Sequence, residues 1–335
     1  MLTFPLHPMK LPWPVNWKET FAGGGLILLE IGFGNGRFLA NLATEQPEAG
    51  IIGVEISSPS IRKAQFLIEE SNHSNVRIVR TTGELALWLL FETGSIQTVY
   101  INFPDPWPKA KHHKRRIISD QFLHLLATRM AEYGHLDIAT DHSEYAVWIS
   151  ERLNHTPYFT SRIGSTFIQI DPGRIPTKYE QRALKENSDC FFFKWQRNQA
   201  AAADIFPIPK EFPMPHIIMD MALTIAELGG KLEPFQRQTG EISVRVAEYF
   251  RSIQANTLLC DTFVSELHLD QRIMLAVIRR GTGDTIIQAH GTGYPRPTEG
   301  VKMAIRYLTE EIEKIDPSTS ILRHNLGEWP NLKLD

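Results

Sequence analysis

Residues 26–37 read Leu-Ile-Leu-Leu-Glu-Ile-Gly-Phe-Gly-Asn-Gly-Arg, an apolar run that leads directly into a glycine-rich turn. The near-continuous apolar character of residues 26–31 is typical of a strand buried on both faces of a parallel sheet. Glycines at every second position after it let the backbone turn tightly and approach a ligand closely. A helical pattern follows from Arg37 to Glu45. The stretch therefore predicts a strand, a turn and a helix at the ligand-binding edge of a parallel sheet.

The same alternation of apolar runs and helical periodicity continues to about residue 197. Further strands are predicted at 50–56, 76–80, 96–102, 135–140, 159–170 and 190–195, and further helices at 58–71, 84–91, 117–130 and 143–153. Repeated strand–helix–strand units close into a doubly wound sheet because right-handed crossovers place the helices on both faces. The predicted fold class is therefore α/β, with a mostly parallel sheet.

An alanine run at 200–203 and prolines at 207, 209, 213 and 215 interrupt this alternation. Beyond them, strands are predicted at 241–250, 258–267, 273–279 and 285–290, with a hairpin turn at 281–284. A last helix, from Thr298 to Ile315, begins with an arrangement that resembles a capping box. We therefore expect one domain at 1–198 and a smaller α+β domain at 199–335. The second domain shows no catalytic set, so we expect an accessory unit that extends substrate contact or, slightly preferred, stabilises the first domain.

The composition is that of an ordinary globular protein, with 42% hydrophobic and 22% charged residues among 335. No apolar run has membrane-spanning length, and the N-terminus does not resemble a signal peptide. Only two cysteines occur and neither has metal-ligand spacing, which predicts a reducing, cytoplasmic setting without a metal site. Residues 1–200 carry 21 Lys and Arg against 20 Asp and Glu, and residues 201–335 carry 14 against 18. Overall charge thus permits nucleic-acid binding but does not argue for it.

The glycine turn has the spacing E-x-G-x-G-x-G, and Arg37 stands where a dinucleotide fingerprint would have its third glycine. Nineteen residues beyond Gly36, Glu55 ends the second strand, where an acid can accept both hydroxyls of a ribose. The pattern resembles the first loop of class I S-adenosylmethionine-dependent methyltransferases, although a simple tight turn remains the alternative. The resemblance places the cofactor on Glu30, Gly32, Gly34, Gly36 and Glu55, with its adenine near Thr82 and Gly83. That family often has an acid or amide where this chain has Thr82, so backbone groups are expected to replace that contact.

The fourth strand ends in Asn-Phe-Pro-Asp-Pro-Trp-Pro-Lys at 102–109, and five cations lie within 109–116. Prolines hold the chain extended, so a carboxylate and an indole are presented at a strand's carboxyl end. The alternative is a segment with no binding function, in which a proline-rich loop precedes a solvated charged helix. The element Phe-Pro-Asp-Pro-Trp resembles the signature of tRNA (guanine-N7-)-methyltransferases, and the resemblance spans about residues 24–197. It continues through the cations at 114–116, Ala-Thr-Asp at 139–141 and Thr-Lys-Tyr-Glu-Gln-Arg at 177–182.

The resemblance implies transfer of a methyl group from S-adenosylmethionine to N7 of the variable-loop guanosine conventionally numbered 46 in tRNA. It places Asp105 at the methyl acceptor and implies tRNA contacts by Lys109, Lys114, Arg115, Arg116, Asp141, Thr177, Lys178, Tyr179 and Glu180. Guanine N7 carries a lone pair and no proton, so the reaction needs alignment and negative potential but no general base. Asp105 and Asp141 could supply both by accepting hydrogen bonds from guanine N1–H and N2–H₂. Asp141 could equally cap the helix that follows it.

Two other functions compete with this one. A small-molecule N- or O-methyltransferase would use the glycine turn and Glu55 but leaves the cations at 109–116 without a purpose. A non-catalytic RNA-binding module should have lost the cofactor glycines or Asp105, and this chain retains both. We infer no obligatory protein partner and no membrane association.

Overall fold

The computed structural model describes residues 5–21, 25–177, 180, 189–253, 255–266 and 269–328. Contacts divide the chain into two compact units, Met1–Ile208 and Pro209–Asp335. Each unit is built around its own seven-stranded sheet.

The first unit is an α/β fold whose sheet contains five adjacent parallel strands. In chain order its elements are α1 (Trp17–Thr20), β1 (Ile27–Ile31), α2 (Arg37–Glu45), β2 (Gly50–Glu55), α3 (Ser58–Glu70), β3 (Val76–Arg80), α4 (Gly83–Leu90), β4 (Ile96–Asn102), α5 (Asp120–Arg129), β5 (Met130–Thr140), α6 (Ser143–His155), β6 (Phe159–Ser161) and β7 (Phe191–Arg197). Two short 3-10 helices, Pro8–Lys10 and Ala110–Arg115, lie outside this alternation. The predicted fold class and mostly parallel sheet are confirmed.

The strands are ordered β3-β2-β1-β4-β5-β7-β6, and β7 runs antiparallel to both of its neighbours, β5 and β6. All five residues of β1 are buried, which explains the near-continuous apolar run that predicts this strand. The order reverses direction between β1 and β4, which are direct neighbours. Loops leaving these two strands diverge to opposite sides of the sheet, and the crevice between them is the usual ligand site of such folds.

Three boundaries differ from the prediction for local reasons. The predicted strand at 159–170 stops at Ser161, because the chain turns at Gly164 with φ +71° and rejoins β7 only at Ile168. Helix α5 begins at Asp120, where the Ser119 hydroxyl caps the helix by accepting from the Phe122 amide at 3.1 Å. Strand β5 begins at Met130, five residues earlier than predicted.

The unit boundary lies at Ile208, ten residues beyond the predicted division at 198/199. Residues 199–208 belong to the first unit because they enclose the Arg129 guanidinium, which is 1% exposed. Arg129 donates to the Asp204 carboxylate at 2.7 Å and to the Phe206 carbonyl at 3.1 Å. The proline-rich stretch after residue 206 therefore marks the boundary better than the alanine run does.

The second unit is a fully antiparallel sheet with one long helix, in keeping with the predicted smaller α+β domain. Its elements are β8 (His216–Asp220), α7 (Ile225–Gly229), β9 (Phe235–Thr239), β10 (Ile242–Arg251), β11 (Thr257–Glu266), β12 (Leu269–Arg279), β13 (Thr285–Ala289), α8 (Glu299–Ile315) and β14 (Ser320–His324). The strand order is β14-β8-β13-β12-β11-β10-β9. The predicted hairpin at 281–284 joins β12 to β13, with Arg279 paired to Thr285.

The predicted capping box of the last helix is absent. Thr298 occupies the N-cap position of α8, but its hydroxyl donates to Glu266 and makes no capping bond. The Glu266 carboxylate accepts from the Gly300 amide at 2.8 Å and thereby satisfies one of the free amides of the first turn. A carboxylate from another strand can replace a local cap because it also interacts favourably with the helix dipole.

Candidate active site

A cleft of about 410 Å³ opens at the carboxyl ends of β1, β2, β3 and β4. The loops that follow these four strands supply its walls, together with residues of the short helix at 110–115. Among the predicted site residues, the cleft brings together Gly32, Gly34, Glu55, Thr82, Gly83, Asp105 and Arg115. Predicted cofactor and target residues thus line one continuous space.

The glycines of the first loop have two different roles. Gly34 has φ +56°, and a Cβ built on it would meet nothing within 4 Å, so it leaves open space in the cleft. Gly36 has φ +78°, and a Cβ there would lie 2.4 Å from Cβ of Ala64 in α3. Gly36 is outside the lining of the cleft. It allows α2 and α3 to approach each other, so the structure assigns it a packing role within the predicted cofactor loop.

Glu55 holds the glycine loop against the end of β2. Its carboxylate accepts from the Gly34 amide at 3.1 Å and from the amides of Ile56 at 2.8 Å and Ser57 at 2.9 Å. A carboxylate offers about four lone-pair sites, so capacity remains for a ligand hydroxyl. The three amides fix the orientation of the side chain at the cleft wall.

Glu30 is buried beneath the cleft, with 1% of its surface exposed. Its Oε1 accepts from Asn102 Nδ2 at 3.0 Å, while Oε2 has no hydrogen-bond partner among the described residues. Burial raises the pKa of Glu30 to about 8, and the Asn102 hydrogen bond and the charge of Arg174 oppose the shift. Arg174 Nη2 in turn donates to Asn102 Oδ1 at 2.5 Å. Neither Asn102 nor Arg174 was predicted as a site residue, although Asn102 adjoins the proline motif.

The loop after β3 carries a second buried polar atom without a partner. The Thr82 hydroxyl caps α4 by accepting from the Leu85 amide at 3.2 Å, so it is already engaged. The neighbouring Thr81 hydroxyl is buried, lines the cleft and has no hydrogen-bond partner among the described residues. Glu84 also lines the cleft, and burial raises the pKa of its carboxyl. Thr81 and Glu84, on either side of the predicted Thr82 and Gly83, were not predicted as cofactor contacts.

The target loop after β4 is held in a strained conformation. Phe103 and Trp107 have φ of 51° and 44°, values that side-chain-bearing residues seldom adopt. Arg116 supports the loop from below, since its Nε donates to the Pro106 carbonyl at 2.8 Å. The same guanidinium donates to the Glu144 carboxylate at 3.0 Å. Only 3% of the surface of Arg116 is exposed. The prediction that Arg116 contacts tRNA is therefore corrected: it is a buried support of the loop that carries the exposed Asp105.

The remaining cations of this segment face solvent. Lys109, Lys111, Lys114 and Arg115 are all exposed, on and beside the 3-10 helix Ala110–Arg115. The Arg115 guanidinium lies 4.9 Å from the centre of the Trp107 ring, and both side chains line the cleft. Such a stack fixes a cation at the cleft mouth.

Asp141 is exposed at the end of β5, outside the lining of the cleft. It does not cap α6, because His142 Nδ1 accepts from the Tyr145 amide at 3.3 Å in that role. Thr177 and Glu180 bond reciprocally through their side chains and amides, and Glu180 pairs with Arg174 at 3.1 Å. Predicted tRNA contacts at Lys178 and Tyr179 lie outside the described residues.

These features fit S-adenosylmethionine. The molecule carries an ammonium group, a ribose diol and an adenine, which need an acid, a second acid and a polar pocket respectively. The cleft region offers the unpaired Oε2 of Glu30, the spare acceptor sites of Glu55 and the unpaired hydroxyl of Thr81. The described residues contain no group of three or more metal-ligating side chains and no helix long and apolar enough to cross a membrane.

Comparisons with known proteins identify methyltransferases as relatives of this chain. A family profile described as "Putative methyltransferase" matches residues 25–193. The tRNA (guanine-N7-)-methyltransferase of Thermus thermophilus is 31% identical over 311 residues, which cover 90% of this chain and 93% of that protein. The enzyme of the same name from Thermotoga maritima is 36% identical over 189 residues, covering 56% of this chain and 59% of that protein. This chain therefore spans less than two thirds of the Thermotoga relative.

A solved rRNA methylase from Streptococcus thermophilus aligns with a TM-score of 0.37 and 16% identity, covering 55% of this chain and 92% of that one. The Thermus relative matches across both units of this chain, and the profile match encloses the glycine loop and the Pro-Asp-Pro-Trp element. As its motifs predict, the chain belongs to the tRNA (guanine-N7-)-methyltransferase family.

Proposed function

We propose that this chain transfers a methyl group from S-adenosylmethionine to N7 of a guanosine in tRNA, at variable-loop position 46. The observation that carries the proposal is the cleft itself. It brings the exposed Asp105 carboxylate together with the loop of Gly32 and Gly34 and with Glu55. When bound, the cofactor supplies an electrophilic methyl group on its sulfonium.

The residues of the chain hold and orient the two reactants. Glu55 is fixed by three backbone amides and can accept ribose hydroxyls, and the Oε2 of Glu30 can receive an ammonium group. Asp105 can accept hydrogen bonds from guanine N1–H and N2–H₂, which selects guanine over adenine. Its negative charge also stabilises the positive charge that develops on the purine. No proton leaves N7, so no side chain has to act as a base.

The exposed cations favour tRNA over a small-molecule acceptor. Arg115 lines the cleft, and the exposed Lys109, Lys111 and Lys114 lie on or beside the same 3-10 helix; a neutral substrate has no use for these cations. Binding that neutralises phosphates weakens steeply as the salt concentration rises. We propose a cytoplasmic location because the proposed substrate is tRNA.

Methyl transfer from labelled cofactor to unmodified tRNA tests this function. The rate at subsaturating tRNA should fall steeply between 50 and 200 mM salt, by roughly a factor of ten or more if several phosphates are contacted. Asp105→Asn should abolish most of the transfer, whereas Asp120→Asn, at an exposed acid of α5 outside the cleft, should leave it unchanged. Absence of transfer, or equal loss in both variants, contradicts the proposal.

For the second unit we propose an accessory role. Among its described residues, none lines the cleft. We retain the preference for a stabilising role over a large phosphate-binding face, because residues 209–335 carry 14 Lys and Arg against 17 Asp and Glu.

A further inference from the structure

A second concavity, of about 500 Å³, lies between the start of α2 and the solvent face of α3. We refer to it as the α2–α3 groove. Its walls include Arg37 of α2 and Arg62, Lys63, Phe66 and Glu70 of α3. None of these residues lines the cofactor cleft, and none belongs to the motifs that identify the family.

The two faces of α3 differ in character. Ile61, Ala64 and Ile68 are buried and pack the helix onto the first unit. Phe66 points away from this core, and 68% of its surface is exposed. A single exposed aromatic residue is common on protein surfaces and needs no explanation alone. This ring, however, stands in a groove surrounded by cations.

Arg37, Arg62 and Lys63 are all exposed. Within the described ranges none of the three side chains forms an ion pair. The groove lining holds one carboxylate, that of the exposed Glu70, against these three cations. The groove lining therefore carries a net positive charge.

The groove lies next to the cofactor cleft. Asn35 lines the groove, whereas its neighbour Gly34 lines the cleft. Pro59 lines the groove, whereas Ser57 and Ser60 line the cleft. Only the glycine loop and the first turn of α3 separate the two spaces, so a large substrate at the cleft can also reach the groove.

We infer that the α2–α3 groove is a second tRNA-binding surface, which takes backbone phosphates on Arg37, Arg62 and Lys63 and stacks an unpaired base on Phe66. The inference rests on the proposed function, which supplies the tRNA. Cations that track a phosphate backbone, combined with an exposed ring for base stacking, are the common means of binding single-stranded nucleic acid. Unpaired loop bases of a folded RNA offer the same chemistry.

A second copy of this chain is a poorer occupant. Two copies paired through this groove about a twofold axis would each bring the same three cations to the interface. Like charges opposed in this way disfavour association. A polyanion relieves the repulsion instead.

Equilibrium binding of unmodified tRNA, without cofactor and over a range of salt concentrations, tests the inference. The double variant Arg62→Gln/Lys63→Gln should bind more weakly and reduce the salt slope by about 0.7–0.9 for each phosphate that the variant no longer neutralises. Its matched control, Lys18→Gln/Lys231→Gln, removes two exposed cations elsewhere and should keep the wild-type slope. Phe66→Ala should weaken binding by about fivefold or more, as expected for removal of one stacked base. Val147→Ala, at an exposed apolar position of α6, should have no effect.

Two binding results would overturn the inference: a double variant with the affinity and salt slope of its control, or a Phe66→Ala protein that binds tRNA like Val147→Ala. A change of oligomeric state caused by Phe66→Ala, measured as molecular mass in solution, would also overturn it, because the groove would then bind a second copy of this chain. Thermal melting of each variant confirms folding, which these exposed substitutions should leave intact. Because binding is measured apart from methyl transfer, the two proposals fail separately. If the wild-type protein is inactive but its tRNA affinity depends on the groove residues, only the proposed reaction is contradicted. If the wild-type protein is active but substitutions in the groove leave its tRNA affinity unchanged, only this inference is contradicted.

Discussion

Alanine substitutions at Gly34 and Gly36 should separate ligand space from helix packing within one loop. At Gly36 the new Cβ would lie 2.4 Å from Cβ and 2.7 Å from Cα of Ala64, at φ +78°. A side chain in the left-handed region costs about 1–2 kcal/mol, and overpacking costs about 1–3 kcal/mol more. Gly36→Ala should therefore lower the free energy of unfolding by roughly 2–5 kcal/mol, the sum of these terms.

Gly34→Ala carries only the backbone cost, about 1–2 kcal/mol, because its Cβ meets nothing within 4 Å. That open space belongs to the cleft, so the added methyl group should obstruct the cofactor. We expect Kd for S-adenosylmethionine to rise about tenfold or more, equivalent to about 1.4 kcal/mol.

Urea unfolding and calorimetric titration with S-adenosylmethionine measure the two effects on the same proteins. Gly36→Ala protein that remains folded at low temperature should keep most of its cofactor affinity. A Gly36→Ala protein with wild-type stability that does not bind the cofactor would contradict the packing role of Gly36. A Gly34→Ala protein that binds the cofactor as the wild type does would contradict the role of Gly34 in leaving space for it.

Asp105→Ala should lower kcat for tRNA methylation by orders of magnitude with cofactor Kd near the wild-type value; a variant that instead loses cofactor binding would place Asp105 in the other half of the site. Glu55→Ala should show the opposite pattern, with weakened cofactor binding detected by titration, because the ribose acceptor is removed. Burial raises the pKa of Glu30 to about 8, so the folded protein binds a proton more tightly than the unfolded chain. The free energy of unfolding of the wild-type protein should therefore fall relative to that of Glu30→Gln as pH rises from about 5 to 8, by up to roughly 1.4 kcal/mol per pH unit. Urea titrations measure both proteins, and free energies of unfolding that change in parallel with pH would contradict this. Truncation after Ile208 should lower the melting temperature more than tRNA affinity. Truncation after Asn198 should lower the free energy of unfolding further, because it removes Asp204 and Phe206, which accept hydrogen bonds from Arg129; equal stability of the two fragments would argue against the boundary.

The central strands were predictable because each is buried on both faces. β1, β2 and β4 read as nearly continuous apolar runs between glycines, prolines and charged residues, and the structure places them where that pattern indicates. β9 was missed because Phe235–Thr239 is a polar edge strand that is largely exposed. Such a strand gains its place from its neighbour β10, which a local pattern does not reveal.

The adjacent cations Arg115 and Arg116 show the limit for site residues. One is exposed over Trp107, and the other is buried against Pro106 and Glu144. Arg115 is the last residue of the 3-10 helix Ala110–Arg115, whereas Arg116 follows it in an extended conformation, and only Arg116 faces inward. Charge and position in a motif predicted that the segment matters, but only tertiary packing distinguishes a phosphate contact from a support of the loop.

Other site residues were missed because their importance is visible only through buried partners. Arg174 lies far along the chain from Asn102, yet its guanidinium bonds to that amide, which in turn bonds to Glu30. The Thr81 hydroxyl draws attention only because burial leaves it without a partner among the described residues. Neither property belongs to a sequence motif.

The identity of the nucleoside formed distinguishes methylation of guanine N7 in tRNA from every other methyl transfer. Unmodified tRNA is incubated with the purified protein and S-adenosylmethionine, digested into defined fragments and then into nucleosides, and the products are separated by mass. We expect 7-methylguanosine to be the new methylated nucleoside, confined to the fragment that contains the variable loop, and to be nearly absent with Asp105→Asn protein. A different methylated nucleoside, or no methylated product from folded wild-type protein that binds the cofactor, would contradict the account.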